Sequence, residues 1–404
     1  MIHTYATVLR QPGALAFSAA GVAARLPMSM VGLGIVLMVE RLYDSYALAG
    51  QVSAANVIAH AVCAPRLARL VDRHGQARVM RPAVTLAATS LTALVVTAAL
   101  GGPVPLLFVF ATLAGATVGS IGALVRARWS FVLTDPREVH TAYSLESALD
   151  ELVFIIGPVV VTLLATGVAP AAGLVLPIVA MLVGGHLFLA LRATEPPPTV
   201  RDPGVRHGHV LRSGGMVVVV AVFVAVGAIF GATDVATVAF AEAEGSPGAA
   251  GAVLAVFAAG SMLAGLGYGA RHWASPLWLR FATSVVALAV GVSLFFVVTS
   301  LPALAAVMFV TGFAIAPSII TGNGLVQQLV EPGRLTEGLT WVSTSLGVGV
   351  ALGASSAGAL IDVQGPRGGF LVVVAGAGLA VVATLVALPT LRTPARTTPV
   401  ARPA

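Results

Sequence analysis

Long apolar runs divide the chain, each broken from the next only by short stretches of Gly, Pro or charge. A helix needs about 20 apolar residues to cross the hydrocarbon of a bilayer, and each run supplies that many. In the first half they cover about 13–39, 46–68, 80–100, 104–128, 141–166 and 171–191. In the second they cover about 214–240, 249–268, 277–299, 303–329, 338–360 and 369–391. Charge makes up only 9% of the 404 residues, against roughly 25% in soluble domains. So little charge cannot coat a soluble surface, and the twelve runs leave room for no soluble domain of consequence. The sequence therefore predicts an all-α integral membrane protein with twelve transmembrane helices.

Between the sixth and seventh runs lies the least apolar stretch, whose prolines and charges suit a solvated linker. The predicted organisation is a six-helix bundle over 1–191, a linker over 192–213, a second six-helix bundle over 214–391 and a tail over 392–404. The 22 basic residues are all arginine. With the N-terminus inside, nineteen of them fall on inner connections, counting Arg126 and Arg128 there. Arg41 and Arg367 fall outside, and Arg25 lies within a span. The positive-inside rule then selects a multi-pass topology with both termini cytoplasmic, and the membrane expected is a bacterial inner one. The net charge of +6 is a topology signal and not a sign of nucleic acid, which is not expected as a partner. Cys63 stands alone, so no internal disulfide can form. The N-terminal segment runs into the first apolar run without a small-residue cleavage site and is read as a retained span.

The halves resemble each other at an offset of roughly 196 residues, the self-similarity that transporter halves show. Thr134-Asp135-Pro136-Arg137 matches Val330-Glu331-Pro332-Gly333, and Gly157 in the fifth run falls on Gly353 in the eleventh. The connection between runs two and three reads Ala68-Arg69-Leu70-Val71-Asp72-Arg73-His74-Gly75-Gln76-Ala77-Arg78. It resembles the loop motif G-x-L-a-D-R-x-G-r-r of the major facilitator superfamily, with Ala68 where the family has its first glycine. The chain is accordingly similar to actinobacterial twelve-helix proton-coupled exporters of that superfamily. The resemblance implies two pseudo-symmetric six-helix bundles, usually in a monomer. It also implies a conformational latch of Asp72, Arg73, Gly75 and Arg78, in which the acid faces the start of span eleven around Thr336 to Gly338. Gly157-Pro158 resembles a remnant of an antiporter motif, and kinking explains it equally well. Gly347, Gly349, Gly353 and Gly358 read as a helix-packing face.

Charges inside the bilayer cost at least about 2.5–3.5 kcal/mol and ask for a partner, a wet cavity or a task. Arg25, near the middle of span one, is a substrate-cavity candidate or the counter-ion of a buried acid. Glu146 and Asp150, four apart, share a helix face, while Glu151 points about 100° away. Asp150, Glu151 and Asp234 are the candidates for carrying a proton as the cavity alternates. Pairing of Asp150 or Glu151 with Arg126 or Arg128 is the structural alternative. Arg126 and Asn323 complete the substrate-cavity candidates. His60 and His186 are isolated and His207-Gly-His209 lacks further ligands, so neither metal nor other cofactor is expected. No Walker sequence is present and no nucleophile pairs with a base, so the chain reads as no enzyme. The function expected is secondary active efflux of a small organic molecule in exchange for protons. Import or facilitated passage of a metabolite, anionic if Arg25 is the anchor, is the alternative. A non-transporting receptor or scaffold is the alternative of another class.

Overall fold

The structure is a computed structural model that describes residues 2–198, 210–246, 249–271 and 273–392. Half of the predicted linker, with His207 and His209, and nearly all of the tail therefore lie outside the described residues. A short helix α1 (Ile2–Leu9) precedes the first crossing, which is built from α2 (Ala14–Arg25) and α3 (Pro27–Tyr43). Then come α4 (Tyr46–His74), α5 (Gln76–Ala99), a fourth crossing of α6 (Val104–Val118) and α7 (Ile121–Val132), and α8 (Pro136–Gly167). The sixth crossing begins as α9 (Ala172–Val179), passes through a π-helical stretch at Ala180–Gly185 and ends as α10 (His186–Ala190). The second half is α11 (Gly214–Ala243), α12 (Ala250–Ala270), α13 (Leu277–Ser293), α14 (Leu301–Leu329), α15 (Leu335–Gln364) and α16 (Pro366–Arg392).

Among the described residues, eleven of the twelve crossings are long and apolar enough to span a bilayer. The remaining one, α4, has 29 residues and so reaches about 44 Å, but Asn56, His60, Arg66, Arg69, Asp72 and Arg73 dilute its apolar character. Two crossings are broken in mid-course. Pro27 has no N–H to continue the first helix, so it ends at Arg25 and restarts beyond Leu26. Gly119, at φ +64°, separates α6 from α7. Pro158 and Pro317, by contrast, sit inside continuous helices.

Each half has its own apolar core, one centred on Phe17, Trp129, Tyr143 and Phe188, the other on Phe223, Phe281, Phe295 and Phe370. Lipid offers no hydrophobic drive between helices, so close approach of small residues decides which crossings touch. A Cβ on Gly231 would strike the carbonyl of Val350, and one on Gly353 the carbonyl of Ala228, so α11 and α15 meet backbone to backbone. In the first half Gly157 occupies the equivalent place, α8 lying against Ser29 of α3. The repeat seen in the sequence is thus a repeat of packing, span five on span one and span eleven on span seven. Gly349 also packs against α11, whereas Gly347 and Gly358 face open space and take no part in the contact.

Candidate functional site

The break after Arg25 leaves that side chain wholly buried inside the first half, where four charges form one cluster. Arg25 Nη2 donates to Glu146 Oε2 at 2.5 Å, and its Nη1 stands 2.9 Å from Asp150 Oδ1. The second contact is an ion pair, out of line for a hydrogen bond. Asp150 Oδ2 in turn accepts from Arg126 Nη2 at 2.8 Å. Glu146 Oε1 is filled by the Ser18 hydroxyl and the Trp129 indole N–H, both at 2.7 Å. The i, i+4 spacing on α8 delivers both carboxylates to one side, as the sequence predicted. Two cations and two anions cancel, which is the condition for holding them in the bilayer.

Arg126 therefore does not belong to an inner connection, where the arginine sorting placed it. Arg128, two residues on and so on the opposite side of α7, is also fully buried but pairs with neither Asp150 nor Glu151. Its Nε donates to Gln76 Oε1 at 2.8 Å and its Nη1 to the Leu191 carbonyl at 2.7 Å and the Thr194 hydroxyl at 3.1 Å. The Phe188 ring lies 3.9 Å below its guanidinium. Arg128 thereby fastens the end of the sixth crossing to the fourth.

Glu151 points away from the cluster, across the seam between the halves, and accepts from the Ser261 hydroxyl of α12 at 2.6 Å. It forms no ion pair among the described residues. Asp234 on α11 likewise forms none, while Thr233 and Thr237 beside it are fully buried with unpartnered hydroxyls. Asn323 is buried in α14 and joins none of the bonds of the Arg25 cluster.

Apart from the Glu151–Ser261 bond, the hydrogen bonds that tie the halves together gather at the end carrying Ile2 and Arg392. Asp72 Oδ2 accepts the Glu337 N–H at 2.9 Å, at the first turn of α15, where the helix leaves its amides unpaired. Glu337 itself, 1% exposed, is held by Arg69 at 2.8 Å and by Arg334 at 2.7 Å. Arg73 and Arg78 are exposed, and Gly75, at φ +91°, turns the chain from α4 into α5. Around this knot the Tyr5 hydroxyl donates to the Leu266 carbonyl at 2.6 Å and the Thr141 hydroxyl to the Gly269 carbonyl at 2.9 Å. Gln327 reaches Ser130 at 3.3 Å. The Arg69–Glu337–Arg334 bridge was not read from the sequence. A glutamate in the first turn of span eleven, opposite a run of loop arginines, was its only signal. Among the described residues no group of three His, Cys, Asp or Glu is placed to hold a metal ion.

Two six-helix halves with buried, mutually cancelled charge and a bonded seam at one end define a multi-pass membrane transporter of the two-bundle type. The chain belongs to the major facilitator superfamily, whose sequence model, "Major Facilitator Superfamily", matches residues 17–288 and 278–403. No curated protein matches it significantly in sequence. Among solved structures it is similar to the human organic anion transporter MFSD10 (TETRAN), with a TM-score of 0.69 and 15% identity over 96% of this chain and 99% of that one. It is also similar to a bacterial homologue of the iron transporter ferroportin in an outward-facing state, with a TM-score of 0.73 and 14% identity over 94% and 98%. At such identities the likeness is one of fold.

Proposed function

We propose that the chain is a proton-coupled exporter of a small organic molecule, working by alternating access, and that Glu151 carries the coupled proton. One observation supports this reading above the others. Glu151 is a membrane-embedded carboxylate with no cationic partner among the described residues, and its hydrogen bond to Ser261 joins the two halves. A change of access must part α8 from α12, and binding or release of a proton at Glu151 changes the cost of that parting. Asp150, between Arg25 and Arg126, is then a fixed counter-ion. The occupation of Arg25 by two carboxylates likewise argues against an anion anchor there, and against the import reading built on it.

On the arginine distribution we read the bonded end as cytoplasmic, in a bacterial inner membrane, and the state accordingly as outward-facing. Asp72 and its loop serve as the latch of that state through the Glu337 amide. The test uses the protein in liposomes with an imposed pH gradient, with ethidium and carboxyfluorescein as cationic and anionic probes. Uphill movement of a probe that Glu151→Gln abolishes, with downhill movement retained, is the expected result. Unchanged uphill transport in Glu151→Gln would overturn the assignment, and no response to the gradient with either probe would overturn the coupling.

A further inference from the structure

At the bonded end, on the outer flank of the first half, a cleft of about 490 Å³ opens between the start of α5 and the residues that follow α10. His74, Arg78, Arg81, Arg192 and Glu195 line it, so three arginines face one carboxylate. That carboxylate is already engaged, because Glu195 Oε1 accepts the Ala77 N–H at 3.0 Å. Arg81 uses one Nη2 bond on the Leu189 carbonyl at 3.0 Å. Arg78 and Arg192 are exposed and have no hydrogen-bond or ion-pair partner among the described residues. Behind this wall the fully buried Arg128 keeps an Nη2 without a hydrogen-bond partner. The positive charge of the cleft thus exceeds what the described residues neutralise, and arginine forks match phosphate oxygens.

What adjoins the cleft narrows the ligand. One to two turns along the same crossings, Val84 packs against Gly185 and the Thr85 hydroxyl meets His186 Nε2 at 3.2 Å. Beside that seam Leu86, Val183 and Leu187 are exposed, at 46%, 55% and 58%. A basic cleft beside an exposed apolar flank of two crossings suits a charged head with hydrocarbon tails.

We propose that this cleft binds the phosphate headgroup of an anionic phospholipid, held by Arg78, Arg81 and Arg192, with its acyl chains against Leu86, Val183 and Leu187. The site lies on the lipid-facing flank, apart from the Arg25 cluster, and stands whether or not the protein couples protons.

The purified, delipidated full-length protein is titrated with phosphatidylglycerol, with phosphatidylcholine and with inorganic phosphate, and binding is read by native mass spectrometry and by thermal shift. Phosphatidylglycerol is expected to bind and stabilise, and the other two are not. Binding should weaken about fivefold in Arg192→Gln and about thirtyfold in Arg78→Gln/Arg192→Gln, from the usual worth of a basic residue at an anionic surface. Arg41→Gln, at the far end of the first half, should leave binding unchanged. Equal binding of phosphatidylcholine, undiminished binding in the double variant, or equal stabilisation by inorganic phosphate would each overturn the proposal, the last by making the cleft a site for free phosphate. A double variant that melts at the wild-type temperature without lipid excludes misfolding as the cause. If it does not, Arg78→Lys/Arg192→Lys, which keeps the charge, must retain more affinity than the glutamine pair or the proposal fails.

Discussion

Neutralising Glu146 tests whether the four buried charges act as one unit. In Glu146→Gln the amide oxygen can still accept from Ser18 and Trp129, so the packing and two of the three hydrogen bonds to this side chain are preserved. What changes is the other end, where an NH₂ now faces Arg25 Nη2, donor against donor, and the cluster carries a net charge of +1 in place of zero. Removing one partner of a buried pair costs about 3–5 kcal/mol, because the charge left behind has lost its compensation. Asp150 remains near Arg25, so the lower end of that range, about 3 kcal/mol, is expected. Arg25→Gln alone should cost a similar amount, whereas Arg25→Gln/Glu146→Gln restores neutrality and should cost about 1–3 kcal/mol less than the sum of the two. Unfolding titrations in mixed micelles, read by tryptophan fluorescence, give all three values. If Glu146→Gln costs under about 1 kcal/mol, or if the two substitutions simply add, the cluster is not energetically coupled and the reasoning fails.

Four further outcomes can be checked independently. Asp72→Asn should weaken the link to the Glu337 amide and raise the population open at the arginine-rich end by about fivefold to tenfold, as read from distances between spin labels across that end. Gly353→Val should fail to accumulate as folded protein, since its side chain would meet the Ala228 carbonyl, whereas Gly347→Ala should be expressed at wild-type levels. Arg128→Met should cost about 1–3 kcal/mol in the same micelle titration by leaving Gln76 Oε1 without its donor and Leu191 with only the Thr194 hydroxyl. Ser261→Ala, which removes the one hydrogen bond of Glu151 to the other half, should loosen coupling, measured as more protons passed per probe molecule moved.

Helical periodicity and the length of the apolar runs made the crossings legible, because in lipid both are imposed by the solvent rather than by partners. Periodicity also put Glu146 and Asp150 on one side of span five and Glu151 on another. It could not say which side of α7 faces inward, so Arg126 and Arg128, two residues apart, looked alike although one joins the charge cluster and the other fastens Leu191. Pairings across the seam were equally out of reach. Ser261 is an unremarked hydroxyl in an apolar run until Glu151 is set 2.6 Å from it. The breaks at Leu26 and Gly119 decide where Arg25 and Arg126 sit. Pro27 stands in the sequence, but that it breaks its helix where Pro158 and Pro317 do not, and that Gly119 takes a positive φ, become visible only with the backbone in hand.

The bonded end has an asymmetry between side chains and main chain. Tyr5 and Thr141 of the first half reach the carbonyls of Leu266 and Gly269, and Asp72 takes the amide of Glu337. The second half answers these three bonds with its backbone alone. Residue 266 can therefore change identity without erasing its carbonyl, and, setting aside Glu337 and Gln327 whose side chains also reach across, a survey of aligned homologues would find positions that offer only a carbonyl silent. The exception is Gly269, where any side chain would run into Ser144. In these three bonds selection should accordingly fall on the second half as a demand for smallness and helix geometry, and on the first half as a demand for two particular hydroxyls and one carboxylate.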